Sequence, residues 1–232
     1  MLRDNRVLMA VFWSVATIGL YLAAKRTHGR WPRAWTSPLL VAPLFLIAIA
    51  LALHVGYRDY SRGTHWLVAL LGPATVAFAV PIYEQRALIR RAWPVLLVGV
   101  LIGSATAMVS AWCLAGALGL NGSLRLSLMP RSMSTPFAMT VSGDIGGVPD
   151  LTAVFVVFTG VLGAALGEAV LVLLPVRSVM ARGALFGMGA HAAGVVKAHQ
   201  IGREEGSIAG LVMVLVGLVN VLAAPLLAAL LK

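Results

Sequence analysis

Long apolar stretches recur along this chain and limit what it can fold into. They are long enough to cross about 30 Å of hydrocarbon as helices. The five longest are Val7–Ala24, Pro38–Gly56, Trp93–Leu120, Leu151–Leu174 and Ser207–Leu231. Hydrophobic residues make up 60% of the chain and charged residues only 11%, whereas a soluble domain carries about 25% charged residues. The sequence therefore predicts an all-α polytopic membrane protein, with one transmembrane domain over residues 1–232.

Three further segments are apolar but interrupted by proline, glycine or polar residues. They are Leu70–Pro81 (LLGPATVAFAVP), Ser127–Met139 (SLMPRSMSTPFAM) and Gly183–His199 (GALFGMGAHAAGVVKAH). Irregular backbone at membrane depth is tolerated only where protein or a water-filled cavity surrounds it. We therefore expect about seven to eight membrane segments, including broken or re-entrant helices, and we expect the broken ones to line a site.

A weak internal similarity relates two of the broken segments. Leu71–Ala74 aligns with Phe186–Gly189, and the same shift superimposes neighbouring apolar spans. This pattern favours an inverted repeat with halves 7–118 and 126–231, which would meet around a site near the middle of the bilayer. Chance matching of small apolar residues is the alternative.

The distribution of charge and the single cysteine exclude several classes of function. The net charge is +10, but the 18 basic residues are scattered in short loops, which argues against a nucleic-acid partner. Loop charges of this kind favour the headgroups of a lipid bilayer. Cys113 is the one cysteine, and no zinc spacing, phosphate-binding loop or hydrolase elbow is present. We expect no metal, no cofactor and no enzymatic activity.

Arg131 is the first candidate for binding a substrate. Its planar guanidinium can hold a carboxylate with two parallel hydrogen bonds. Ser132, Ser134 and Thr135 follow it in the same broken segment and can supply hydroxyl donors. The alternative places Arg131 at the level of the lipid headgroups, with its charge directed toward phosphate.

His191, Lys197 and Thr75 are further candidates for substrate binding. His191 is surrounded by glycine and alanine, which allow close approach of a ligand or another backbone. A neutral imidazole can bind substrate, and a titrating one can carry a proton; a histidine satisfied by helix packing is the alternative. Lys197 is either a second anion contact or an interfacial anchor. Thr75 either bonds across a cavity or returns its hydroxyl to its own helix.

Glu168 is the carboxylate that lies deep in an otherwise apolar span. An ionised acid is costly inside a membrane, so such a residue is protonated, paired or functional. The sequence leaves open whether Glu168 couples transport to protons, together with His191, or pairs with a basic residue.

Four motifs together resemble the LrgB/CidB family of bacterial membrane proteins, whose plant relative is the plastidial glycolate/glycerate translocator. The resemblance extends from about Pro38 to the end of the chain. The motifs are LGPATVAFAVPIY (Leu71–Tyr83), SLMPRSMSTPFAM (Ser127–Met139), GGVPDLTAVFVVFTGVLGAALG (Gly146–Gly167) and ARGALFGMGAHAAGVVKA (Ala181–Ala198).

The resemblance implies a secondary transporter of small monocarboxylates or 2-hydroxy acids, such as glycolate, glycerate, lactate or pyruvate. It would act in the bacterial inner membrane by alternating access, coupled to protons or to a second anion. The alternative it implies is a holin- or antiholin-like regulator of murein hydrolase export and cell lysis, acting with a small LrgA-like partner. By analogy with other carriers, a homodimer is expected.

This chain departs from the family pattern at three positions. The family usually has lysine where Arg131 stands, which preserves the positive charge. It usually has threonine where Val195 stands, so a hydroxyl is lost there. Glu168 occupies a position that is typically uncharged, which weakens a proton-coupling role shared across the family.

Overall fold

The structure, a computed structural model, describes residues 6–31 and 33–231. Residues 1–5, 32 and 232 of the predicted transmembrane domain lie outside this range. The described residues form twelve α-helices and two short 3₁₀ turns, without a β-strand among them. The helices are α1 (Arg6–Arg30), α2 (Pro38–Ala52), α3 (Tyr57–Ala69), α4 (Leu71–Ala77), α5 (Ala79–Glu84), α6 (Arg86–Ala117), α7 (Gly122–Leu128), α8 (Thr135–Asp144), α9 (Pro149–Leu173), α10 (Val179–Gly189), α11 (His191–Ile201) and α12 (Arg203–Leu230).

Five helical runs in the described part of the chain are long and apolar enough to cross a membrane. They are Val7–Arg30, Tyr57–Glu84, Arg86–Ala117, Pro149–Leu173 and Arg203–Leu230, with Pro38–Ala52 as a shorter apolar helix. The prediction of an all-α polytopic membrane protein is therefore confirmed.

The helices break within the three segments that the sequence marks as interrupted. The first of them begins directly after α3 and is divided between α4 and α5, and the third is divided at Ala190, between α10 and α11. In the second, a 3₁₀ turn at Met129–Ser132 separates α7 from α8. Pro130 and Pro136 each lie in the first turn of the element that contains them, where a missing N–H costs little. The prolines thus position the breaks without leaving additional unpaired groups.

The chain divides into two compact units, Met1–Ala74 (unit 1) and Thr75–Lys232 (unit 2). In unit 1, α1 packs against α3 around Trp13, which is fully buried. The indole meets the ring of Tyr60 edge-on, with the centroids 5.3 Å apart. A Cβ on Gly63 would lie 3.1 Å from the Cα of Ala10, so the glycine permits the two backbones to approach closely.

Helix α12 is the centre of unit 2. It packs against α10, α11, α8 and α6, and it contributes more buried residues than any other described helix. Small residues on its neighbours make this possible, because a Cβ on Gly187 of α10 would collide with the carbonyl of Ala209. A Cβ on Gly217 of α12 would likewise collide with the ring of Phe137 of α8. Helix α12 therefore forms the surface on which the broken segments are assembled.

Three buried hydroxyl groups hold the second broken segment against α9. Ser127, Ser142 and Thr152 are all fully buried. The Thr152 hydroxyl donates to Ser142 Oγ at 2.7 Å and also lies 3.0 Å from the carbonyl of Ser127. Ser127 Oγ accepts the backbone N–H of Val148 at 2.8 Å and donates to the carbonyl of Ser123 at 2.6 Å. This hydroxyl cluster (Ser127, Ser142 and Thr152) ties α7, α8 and α9 together where their backbones turn.

We expect Thr152→Val to destabilise the protein, because valine has a similar shape but leaves buried acceptors unsatisfied, at a cost of about 1–3 kcal/mol. Thermal unfolding of the purified protein in detergent measures the effect. Thr140→Val is the matched control, because that exposed hydroxyl bonds only to the carbonyl of Pro136 in its own helix. Equal melting temperatures for the two variants would contradict the role of the cluster.

Candidate functional site

A small cavity inside unit 2 combines polar and sulfur-containing side chains. It is lined by residues of α6, the 3₁₀ turn, α10 and α12. About 10 Å³ of it is open to the centre of a water molecule, which is room for about one water. Its polar lining consists of Ser104, Ser132 and Asn220.

Four methionines make up much of the remaining wall. They are Met108, Met129, Met133 and Met188. The thioether of Met188 occupies the space that a Cβ on Gly103 would fill. Because methionine has three rotatable bonds and no branch, this wall can change shape without unfolding the helices that form it.

Ser104 and Asn220 form a buried hydrogen bond between α6 and α12 that sequence reasoning missed. Asn220 is 3% exposed and Ser104 is 7% exposed. The Asn220 amide donates to Ser104 Oγ at 2.9 Å and to the carbonyl of Val216 at 2.7 Å. A signal was available, because Asn220 is the one amide in the stretch Ser207–Leu231 and intramembrane polar residues often mark functional sites.

Arg131 lies in the 3₁₀ turn beside the cavity. Its Nη1 donates to Ser132 Oγ at 3.4 Å, and Ser132 is part of the cavity wall. The guanidinium is half-buried, and no carboxylate among the described residues forms an ion pair with it. A half-buried cation that has no carboxylate partner among the described residues can attract an anionic ligand, although Arg131 does not itself line the cavity.

His191 begins α11, directly after the break at Ala190, and does not itself line the cavity. The side chain is 4% exposed, and its Nε2 has no hydrogen-bond partner in the described structure. It fits against α9 because Gly160 has no side chain: a Cβ there would lie 2.7 Å from the imidazole Cε1. Arg131 lies close enough to interact electrostatically with His191. The structure therefore places these two predicted site residues in one neighbourhood.

Ser134 and Thr135 begin α8, directly after the 3₁₀ turn. Ser134 is buried, and its hydroxyl has no hydrogen-bond partner among the described residues and does not cap the helix. Thr135 is half-buried. Thr75, in α4, is half-buried too and does not line the cavity. The roles of Ser134, Thr135 and Thr75 as substrate ligands stay predictions.

Lys197 and Glu168 pair with each other. Lys197 Nζ lies 2.5 Å from Glu168 Oε1, which joins α11 to α9. Of the alternatives left open for Glu168, the structure shows the pairing with a basic residue; its role in proton coupling stays a prediction. Neither residue lines the cavity, so this ion pair is a separate feature of unit 2.

A second ion pair joins α10 to α12 and was not anticipated from the sequence. Arg182 Nη2 lies 2.6 Å from Glu205 Oε1, and Glu205 is buried. The pair fixes the start of α12 against the helix that leads to His191.

Comparison with known proteins identifies relatives that span nearly the whole chain. A family model described as LrgB-like family matches residues 17–230. The uncharacterized protein YwbG of Bacillus subtilis (strain 168) is 40% identical over 211 residues, covering 91% of this chain and 94% of the relative. The antiholin-like protein LrgB of the same strain is 33% identical over 189 residues, which is 82% of each chain.

A more distant relative carries a different functional name. The holin-like protein CidB of Staphylococcus aureus (strain N315) is 28% identical over 223 residues, covering 96% of this chain and 97% of the relative. No solved structure matches the chain.

The backbone of His191 gives a testable consequence of the helix break. Its φ is 39°, in the left-handed region that asparagine tolerates and β-branched residues strongly disfavour. We expect His191→Val to lower the melting temperature by several degrees more than His191→Asn does. His199→Val is the control, because His199 lies inside regular helix α11. A valine no more costly at position 191 than at position 199 would contradict the strained junction.

Proposed function

The chain belongs to the LrgB-like family, and from this membership we propose that it is a holin- or antiholin-like regulator of murein hydrolase export and cell lysis. Two relatives with those names support this proposal, the antiholin-like LrgB and the holin-like CidB. The protein is a multi-pass bacterial membrane protein, and its proposed location is the inner (cytoplasmic) membrane. Its proposed partner is a small LrgA-like membrane protein.

The geometry of unit 2 supports a second and more specific function, the transport of small carboxylate anions. The observation that carries it is the half-buried Arg131, which has no carboxylate partner in the described structure and donates to a serine of the cavity wall. A guanidinium in this position can hold an anionic group. An anionic ligand would supply the missing counter-charge.

Four of the predicted residues have a defined part in this proposal. Arg131 grips the carboxylate with two parallel hydrogen bonds. Ser132 and Ser134 add hydroxyl donors. His191, with its unbonded Nε2, is the group that can take up or release a proton as the substrate moves. Proton symport and anion exchange are both consistent with this arrangement.

Alternating access requires the site to open to each side of the membrane in turn. In this proposal the helices that meet at the 3₁₀ turn and at Ala190 are the parts that move. The methionine-lined wall can follow such a movement. A homodimer, by analogy with other carriers, would provide a fixed frame for the moving segments.

Uptake of labelled glycolate, glycerate, lactate and pyruvate into proteoliposomes, with and without a pH gradient, tests the transport proposal. Arg131→Gln removes the charge, and we expect it to reduce uptake at least tenfold, because hydrogen bonds to charged groups are each worth about 1.5–3 kcal/mol. Arg131→Lys, which keeps the charge, should retain part of the activity. Arg177→Gln, at an exposed position before α10, should leave uptake unchanged.

The same preparation separates the two proposed functions. Saturable uptake that depends on Arg131 would support the carrier. If the folded wild-type protein transports none of the four acids, while its deletion still alters murein hydrolase activity in cells, the regulator is the better description. Uptake that appears only after an LrgA-like partner is added would identify this chain as half of a two-component carrier.

A further inference from the structure

The hydrogen bond between Ser104 and Asn220 leaves two polar groups unused. The Asn220 amide nitrogen donates one hydrogen bond to Ser104 Oγ and one to the carbonyl of Val216. Its carbonyl oxygen Oδ1 has no hydrogen bond within the described residues. Ser104 Oγ accepts from Asn220 but donates to no described acceptor. One free acceptor and one free O–H donor therefore lie side by side.

An unused donor and acceptor are unexpected at this depth. Both side chains are more than nine-tenths buried, and burying an unpaired polar group costs free energy. Both residues line the cavity, so the unused groups are available to a molecule that occupies it.

An alcohol group matches this pair, because a hydroxyl both donates and accepts one hydrogen bond. The same cavity wall contains Ser132, which accepts a hydrogen bond from Arg131. Two of the polar wall residues thus form a pair that can bind a hydroxyl group, and the third, Ser132, is bonded to Arg131, which does not itself line the cavity. A short acid that carries a hydroxyl group close to its carboxylate is complementary to both.

The geometry points to Ser104 and Asn220 as the specificity-determining subsite that binds the hydroxyl group of a small hydroxy-carboxylate. This inference rests on the proposed transport function and deepens it. The subsite makes the site prefer a hydroxy acid over the unsubstituted acid of the same length. The cavity in this structure has room for about one water, so binding of a hydroxy acid requires its wall to open. The thioether of Met188 would have to leave the space above Gly103, and the other flexible methionines of the wall would have to move as well.

Lactate and propionate provide the test, since they differ only in the hydroxyl group. Uptake of each into proteoliposomes gives a lactate-to-propionate preference for wild type and variants. We expect Ser104→Ala to lower this preference about three- to tenfold, the value of one lost hydrogen bond. Ser104→Thr keeps the hydroxyl and should retain the preference. Ser110→Ala is the matched control, because Ser110, also on α6, bonds to the carbonyl of Ala107 and does not line the cavity.

Asn220→Leu gives an independent reading, because it removes the acceptor while conserving most of the volume. A selective loss of lactate uptake in either variant supports the subsite. Equal slowing of lactate and propionate, with a lower melting temperature, would mean that the pair only ties two helices together, and would overturn the inference. An unchanged preference in both folded variants would overturn it as well.

Failure of the subsite and failure of the transport function give different results. Wild-type protein that transports both acids, with a preference unaffected by these variants, disproves the subsite alone. Wild-type protein that transports none of these acids, nor glycolate, glycerate or pyruvate, removes the carrier function, and the hydroxyl subsite with it.

Discussion

The pairing of backbone polar groups without water is the constraint on which unit 2 depends. A chain in hydrocarbon cannot stop a helix unless something replaces the lost hydrogen bonds. Here Ser127 Oγ accepts the N–H of Val148, and Thr152 reaches the carbonyl of Ser127. These side chains do the work of backbone partners where α7, α8 and α9 turn. The 3₁₀ turn can then hold Arg131 beside a cavity instead of continuing as an unbroken helix.

Small residues likewise permit the break in the third broken segment, between α10 and α11. A side chain on Gly160 or Gly163 of α9 would collide with His191 or with the backbone of Gly189. On the other side, Gly187 admits the backbone of α12. The glycines of these segments are therefore explained by close packing around the junction of α10 and α11, and the buried imidazole occupies the space that they leave.

Hydropathy and the positions of proline and glycine were sufficient to predict the helical membrane fold and where its helices break. Contacts between residues adjacent in the sequence could also be predicted, as with Arg131 and Ser132, which form a hydrogen bond in the structure. Pairings between distant segments were not accessible, because local patterns carry no information about which helix faces meet. Ser104 and Asn220 are 116 residues apart, and a single serine in an apolar span usually bonds to its own helix. The partner of Glu168 was likewise decided by the packing of α11 on α9.

The sulfur atoms around the cavity also have a chemical consequence. A thioether is apolar, but oxidation converts it to a sulfoxide, which is polar, chiral and a strong hydrogen-bond acceptor. At Met129 or Met133, that oxygen would be introduced next to the hydroxyl groups of the wall and would repel an approaching carboxylate. Oxidation of either methionine would therefore change both the shape and the polarity of the cavity wall.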